Sequence, residues 1–465
     1  MSSDPDKIKR HADLQTSQYD GAWLKSLDEA EEENKKLFWY NNPRQLISNN
    51  SVGSGSLVIG NGADIYLSTI LPALETAEQE IIFVTCFWAR SQCLNQLGEI
   101  LIKISQKARR RPIGTPKLRV RLCFSSRSII QKLFHTSSPD GHIYKPSQWV
   151  SKLGLPEPER LTELDLQVKS LFFLPFSVMH PKFVIIDRKY ALLPSCNLSY
   201  ESWFEGCLSL NGPVVESLLL FWKETWGKND LPALAGTTFY LEETASALGS
   251  PHTVTLLPSP HHRSPRFRPF LSVPAPRQTP LIAYLNNRIA TAKSSIKILT
   301  PNLTCQHIIL SLLAALFRGV DVTIITNRRM MVLEQILTSG TVTEICVWRL
   351  KRRYRRLQTA QNQTRTENTD LERGPSTRQT GLLQIGYFRP STKYAKSHLK
   401  CTIIDEKTVV MGSGNMDRAS WYTSQELGVA VGGGDFVKEV WGKVEGGLER
   451  GGGGEGGLVE WVEWV

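Results

Sequence analysis

Apolar residues recur at helical spacing through residues 65–77 and again through 93–108. Short runs rich in β-branched and aromatic residues follow each of them. A 3.6-residue period marks a helix with one face on a core, and a short apolar run marks a buried strand. The pattern therefore predicts a helix over Ile65–Ala77, a strand over Glu80–Trp88, a helix over Cys93–Ala108 and a strand over Lys117–Phe124. The same order returns later: helix Leu281–Ala292, strand Ser295–Thr300, helix Ile308–Phe317 and strand Asp321–Thr326. Alternation of the two periods predicts an α/β fold, and its recurrence points to a duplicated unit.

The segments between these patterns set expected boundaries. Residues 1–50 are polar and charge-rich and read as a mobile arm. A first half is expected over 51–235. Residues 236–279, crowded with Pro, His, Ser and Arg from Ser250 onward, read as a linker. A second half is expected over 280–445, carrying a structureless basic insert at 351–380. The Gly-rich stretch 446–465, ending in VEWVEWV, reads as a disordered tail.

Composition narrows the class. A chain of 465 residues with 41% apolar and 21% charged residues can bury a large core without disulfides or a structural metal. Net charge is +11, from 55 Lys and Arg against 44 Asp and Glu. That excess favours anionic partners such as phospholipid head groups or nucleic acid. The eight cysteines form no C-x-x-C pair and sit mostly in apolar runs, which reads as free thiols in a reducing compartment. The N-terminus lacks the apolar core of a secretory signal, and no apolar run reaches the ~18 residues of a span. An intracellular protein, cytoplasmic or peripheral on a membrane, is the expectation.

Chemistry enters through two distant segments. His180–Trp203 reads HPKFVIIDRKYALLPSCNLSYESW and His398–Trp421 reads HLKCTIIDEKTVVMGSGNMDRASW. One constant offset aligns His180 with His398, Lys182 with Lys400 and Asp187 with Asp405. It also aligns Ser195 with Ser413, Asn197 with Asn415 and Trp203 with Trp421. A single H-x-K-x4-D match is weak, whereas two with the same downstream Ser, Asn and Trp are not. In a strand, side chains two apart share a face, so each His and Lys point the same way. An imidazole beside an ammonium suits a phosphodiester. The lysines can hold phosphoryl oxygens without a metal, and the asparagines can add hydrogen bonds. One histidine can attack phosphorus while the other protonates the leaving alcohol and later activates the acceptor.

The paired segments resemble the HKD motifs of the phospholipase D superfamily, and Gly412–Ser420 resembles its G-[ST]-x-N element. In character they are closest to the cardiolipin synthase-like, bacterial-type branch. The resemblance covers most of residues 56–445. It implies two α/β/α halves with mixed sheets, related by pseudo-two-fold symmetry around one site at their interface. It implies His180, Lys182, Asp187, His398, Lys400 and Asp405 as the catalytic cassettes, with the aspartates mainly structural and a phosphohistidine intermediate. Ser195, Asn197, Ser413 and Asn415 are expected to bind substrate. Glu426, 28 residues beyond His398, stands where the family has a carboxylate that orients a histidine. The same offset from His180 gives Leu208, with Glu205 nearby as a substitute, and Pro194 replaces the glycine seen as Gly412. The family's usual pattern makes His180 the nucleophile and His398 the acid/base, and the missing carboxylate leaves the reverse open. No metal and no cofactor are implied.

The expected activity is hydrolysis of a glycerophospholipid or transfer of its phosphatidyl group to an alcohol. An endonuclease of the same superfamily and an inactive anionic-lipid-binding member are the rivals, and no stable protein partner is read from the chain. Arg349, Lys351, Arg352, Arg353, Arg355 and Arg356, with Tyr354 among them, form a basic run suited to an anionic membrane or, second, to nucleic acid. Lys107, Arg109, Arg110 and Arg111 form a smaller one. Trp88, Trp203 and Trp421 read as core residues. His135, His142, His261 and His262 read as surface or linker residues, without metal-ligand spacing.

Overall fold

The structure is a computed structural model that describes residues 21–27, 37–128, 140–173, 177–227, 252–260, 275–368, 379–450 and 457–462. Its helices and strands come in the predicted order. In the first half, helical turns over residues 62–74 lead to β3 (Glu80–Phe87), a helix over Gln92–Ala108 and β4 (Leu118–Ser126). In the second, a helix over Pro280–Thr291 leads to β13 (Ser295–Leu299), a helix over Gln306–Phe317 and β14 (Asp321–Thr326). Ser91 and Thr279 accept hydrogen bonds at the N-termini of the Gln92–Ala108 and Pro280–Thr291 helices, so both starts are capped.

These strands belong to two mixed sheets with matching topology. The remaining strands ahead of the second half are β1 (Ile47–Val52), β2 (Leu57–Asn61), β5 (His142–Tyr144), β6 (Leu164–Ser170), the small ladder β7 (Phe172–Phe173) with β8 (Ser177–Val178), β9 (Phe183–Ile186), β10 (Tyr190–Pro194) and β11 (Trp203–Asn211). Those after it are β12 (His252–Ser259), β15 (Leu383–Phe388), β16 (Lys396–Ser397), β17 (Cys401–Ile404), β18 (Thr408–Gly412), β19 (Glu426–Gly432) and β20 (Val459–Trp461). One sheet runs β11-β10-β9-β3-β4-β6-β5, with β2 also on β11. The other runs β12-β19-β18-β17-β13-β14-β15-β20. In each, three parallel strands (β3, β4, β6 or β13, β14, β15) meet an antiparallel group carrying the cassette. The central run of strands, β11-β10-β9-β3-β4-β6 and β19-β18-β17-β13-β14-β15, thus repeats from sheet to sheet, as duplication requires, while β1 and β16 add to the edges. Strands β3, β9 and β17 are mostly apolar runs buried along most or all of their length, as strands covered on both faces must be.

Four boundary expectations are corrected. Within 1–50, Trp23, Leu27, Trp39 and Leu46 are buried, Trp23 packs edge-on against Tyr284 at 5.4 Å, and β1 adds to β12. An edge strand gains its place through backbone pairing, so the polar run ISNNSV carried no periodic signal. Within 236–279, β12 is a paired strand that holds in the second sheet the place β2 holds in the first. Its flanking prolines hid it. The basic insert begins as helix: Thr343–Asn368 is continuous, with Cys346, Val347, Leu350 and Tyr354 buried at helical spacing. Arg, Leu and Gln are good helix formers, so high charge there did not mean disorder. At the C-terminal end a helix spans Gly434–Arg450, and β20 pairs antiparallel with β15. The rest of these segments lies outside the described residues.

The halves interlock. β1 extends the second sheet, while the Gly434–Arg450 helix reaches the first half, where Lys443 Nζ donates to the Leu57 carbonyl at 2.9 Å.

Candidate active site

Each cassette histidine precedes its strand rather than lying in it, since β9 begins at Phe183 and β17 at Cys401. The reason is across the interface. The lead-in to each strand pairs with the other half. His180 N–H donates to the Gln425 carbonyl, and Gln425 N–H to Val178. Reciprocally, β16 pairs with β11, and His398 N–H donates to the Phe204 carbonyl at 2.9 Å. Backbone pairing therefore carries each histidine into the opposite half. The two imidazoles come face to edge with ring centroids 6.4 Å apart. Lys182 and Lys400 are buried, and each Nζ donates to its own histidine's carbonyl at 2.7 Å.

The carboxylates follow the same exchange. Glu426 on β19 contacts His180 Nδ1 at 2.9 Å, not the histidine of its own cassette. Glu205 on β11 contacts His398 Nδ1 at 2.8 Å. The carboxylate counted as missing at the Leu208 offset is thus present. Glu205 follows Trp203 by two residues, whereas Glu426 follows Trp421 by five, because a short helix, Arg418–Tyr422, intervenes only in the second half. A fixed offset could not find Glu205. Counting forward from the shared Trp to the next buried-strand carboxylate would have found it.

The Ser195 and Ser413 hydroxyls, expected to bind substrate, are engaged within the protein. The Ser195 hydroxyl donates to Glu205 and that of Ser413 to Glu426, and each accepts a backbone N–H (Gly206 at 2.9 Å, Leu427 at 3.0 Å). Each half thus contributes a Ser–Glu pair that grips the other half's histidine. Asp187 and Asp405 stand apart from the histidines. They lie past the far end of their strands, about 20 Å of extended chain from the histidines. There Asp187 accepts from Glu78, Gln79 and Glu80 N–H, and Asp405 from Lys293, Ser294 and Ser295 N–H. Both have positive φ, 51° and 53°, in the loop that reverses the chain, a conformation short acidic side chains tolerate. They fix the loop and, through it, the strand.

The asparagines sit between. Asn197 Oδ1 accepts from Phe87 N–H at 3.1 Å, leaving its Nδ2 to donate elsewhere. Asn415 Nδ2 donates to Asp417 at 3.0 Å, and its buried Oδ1 has no partner.

Burial sets the charge states. Desolvation pushes both imidazoles below their ordinary range, His398 to about 3. Glu205 and Glu426 pull back, and the lysines push down again. Desolvation also pushes the two carboxyls up, but the imidazoles and the hydrogen bonds outweigh it and hold both below the usual range. Before substrate arrives, ionised carboxylates therefore accept from Nδ1–H, and each Nε2 keeps its lone pair. Desolvation lowers Lys400 to about 7, against the pull of Glu205.

Trp88 and Trp421 are buried, and Trp88 Nε1 donates to the Leu153 carbonyl. Trp203 departs from the core reading: its ring lies 4.8 Å from that of His398. As the residue two before Glu205, it shares that strand face. His142 is exposed and packs on Tyr144 at 4.7 Å. His135, His261 and His262 lie outside the described residues. The basic residues 107–111 end the Gln92–Ala108 helix and its following turn. All eight cysteines are free, seven of them buried. Among the described residues no helix is long and apolar enough to cross a membrane.

Part of the chain is similar to a known family, and its fold is similar to that of a solved structure. Residues 285–446 match the family model described as "Cardiolipin synthase, PLD-like domain". No curated protein sequence matches the chain. Among solved structures, phosphatidylserine synthase of Haemophilus influenzae superposes with TM-score 0.54 at 12% identity, over 91% of each chain, a likeness of fold. Polyphosphate kinase of Porphyromonas gingivalis matches with TM-score 0.43 at 12% identity, over 82% of this chain and 45% of that one. Nuc of Salmonella typhimurium, titled a phospholipase D family member, matches with TM-score 0.26 at 17% identity, over 42% of this chain and 91% of that one. Two topologically equivalent halves thus meet at paired H-x-K segments, residues 285–446 are similar to a cardiolipin synthase PLD-like domain, and the whole chain shares the fold of a phosphatidylserine synthase.

Proposed function

We propose that the chain is a phosphodiesterase or phosphatidyltransferase that acts on glycerophospholipids through a phosphohistidine. The observation that carries this is the reciprocal pair of His–Glu–Ser chains with facing imidazoles. The 6.4 Å between ring centroids leaves room for one phosphorus with each Nε2 at near-attack distance, about 3–3.5 Å.

In the proposed sequence, His180 Nε2 forms a bond to phosphorus and the bond to the leaving alcohol breaks. The alkoxide takes a proton from His398, which gains it as the anionic phosphate enters and offsets desolvation. Neutral His398 Nε2 then removes a proton from water or an acceptor alcohol. That oxygen attacks phosphorus, the N–P bond breaks, and His180 is restored. Lys182 and Lys400 neutralise the equatorial oxygens, and the Asn197 Nδ2 donates to one of them. Hydrolysis and transfer differ only in which hydroxyl reaches the intermediate. The lipid class is supported by the cardiolipin synthase description of the matching domain and by the phosphatidylserine synthase whose fold the chain shares.

The test offers purified protein short-chain phosphatidylcholine, phosphatidylglycerol with glycerol, and single-stranded DNA, all in EDTA. Choline release or diphosphatidylglycerol formation is expected. DNA cleavage alone, or no turnover of any of them, would overturn the lipid reading. With a p-nitrophenyl phosphodiester, whose leaving group needs no acid, His398→Ala should accumulate acid-labile phosphate on the His180 peptide. Its turnover of lipid should fall by roughly 10²–10⁴-fold. Label on His398 in His180→Ala would reverse the order of the histidines, and full activity in either variant would refute the two-histidine scheme.

A further inference from the structure

The mouth of the site is flanked by an exposed apolar ridge. Seven of the sixteen exposed large apolar side chains among the described residues fall within positions 331–348. Five are on Met331 and the helix Val332–Ser339 that follows it, led by Leu333 at 70% exposure. Ile345 and Trp348, at 57%, continue them on the Thr343–Asn368 helix. A surface helix should turn such residues inward. This one turns Gln335 inward instead: its Nε2 donates to Asn302, and its Oε1 accepts from the N–H and hydroxyl of Thr343.

The ridge is tied to the site. β14 delivers the chain to Asn327, whose amide exchanges hydrogen bonds with the Ser397 backbone at 2.7 and 2.9 Å, beside His398. Leu303 N–H donates to the Thr343 hydroxyl at 3.0 Å, and Leu303 bridges to Met416, next to Asn415. The lead-in loop carries two left-handed non-glycine residues, Arg329 and Met331, each costing about 1–3 kcal/mol. Tyr200, three residues after Asn197, is 68% exposed.

Charge follows in order along the same helix. Its exposed stripe begins with Ile345 and Trp348 and continues with Arg349, Arg352 and Arg356, the Arg352 guanidinium lying 5.5 Å from the Trp348 ring. At 1.5 Å per residue, Arg352 and Arg356 lie roughly 10 and 16 Å from Ile345 along the axis. That spacing matches an interfacial element whose apolar end enters the acyl boundary by about 5–10 Å while cations stay with the head groups. A second copy of this chain is disfavoured, because two cationic faces repel and net charge is +11. Nucleic acid would use the arginines but leave the aliphatic ridge in water.

We infer that residues 331–348, with Arg349, Arg352 and Arg356, form an insertion surface that seats the site mouth on an anionic lipid bilayer. The inference rests on the lipid-directed reading for its choice of partner, and its test reads binding without turnover. Full-length protein is mixed with sedimenting vesicles of phosphatidylcholine alone or with 30% phosphatidylglycerol. Wild type should partition onto the anionic vesicles. Leu333→Glu/Ile336→Glu should weaken partition at least tenfold. Arg349→Glu/Arg356→Glu should remove the preference for anionic lipid, about fivefold or more per charge. Trp348 fluorescence should be quenched by lipids brominated on their acyl chains, and Trp348→Phe should lose that component. Turnover of a soluble short-chain substrate should be unchanged in all three variants.

Equal partition of wild type and both double variants, or no acyl-chain quenching, overturns the inference. So does a dimer that Leu333→Glu/Ile336→Glu converts to monomer, or loss of single-stranded DNA binding without loss of vesicle binding. Vesicle binding with no lipid turnover would instead refute the proposed activity and leave the surface standing.

Discussion

At the scale of single residues, the site depends on pairs whose members come from different halves. A glutamate and a serine of one half set the tautomer and position of the other half's histidine, and a lysine supplies charge beside it. The cost of burying these groups shows in Lys400, which desolvation lowers to about 7. Its sign is definite: the proton is held below that pH and lost above it, so anion binding weakens as pH rises through 7. KM should therefore climb by up to about tenfold per unit above pH 7. Lys400→Met should show a high KM without that slope, and steady-state kinetics from pH 6 to 9 measures both. A slope retained in the variant would move the titration to another group.

Most of this chemistry was legible as letters. The H-x-K spacing and the repeated Ser, Asn and Trp came from one alignment of the chain with itself, and the mainly structural reading of the aspartates came from the family resemblance. What misled was assigning roles by adjacency. Ser195 and Ser413 looked like phosphate donors because they stand beside Asn197 and Asn415. In the fold their hydroxyls are consumed by glutamates on the neighbouring strand.

At the scale of elements, strongly periodic segments were read within a few residues of their bounds. Elements held by backbone pairing or by a few large side chains were not. The residues just before β1 illustrate the difference. Trp23 is fully buried against Tyr284 of the Pro280–Thr291 helix, yet within residues 21–27 only Ala22, Leu24 and Leu27 accompany it as apolar residues, amid a polar context. Trp23→Ala should lower unfolding stability by about 3–5 kcal/mol, the usual cost of emptying a large aromatic site. A denaturant melt followed by circular dichroism checks this, and an unchanged midpoint would restore the mobile-arm reading. The Thr343–Asn368 helix teaches the complementary lesson. Its charge density suggested disorder, but four buried residues at helical spacing and good helix-forming neighbours hold it against the fold.

For the molecule as a whole, the halves are partners rather than beads on a string. β1 completes the second sheet, the Gly434–Arg450 helix leans on the first half, and β16 pairs with β11. Neither half holds both a histidine and the carboxylate that orients it. Residues 1–260 and 261–465 expressed apart should each lack detectable turnover, and co-expression should restore it in a one-to-one complex. Size exclusion with an activity assay decides the point, and turnover by one isolated half would contradict the shared site.

The chain alone determined that there are two α/β units and that each offers an imidazole and an ammonium, because periodicity and residue chemistry are local and survive without a partner. Only the tertiary structure decided that Glu205 serves His398, that Glu426 serves His180, and that an apolar ridge stands beside them. These are contacts between positions up to 246 residues apart in sequence, created by cross-half backbone pairing. Spacing along a chain carries no record of which strand edge will meet which.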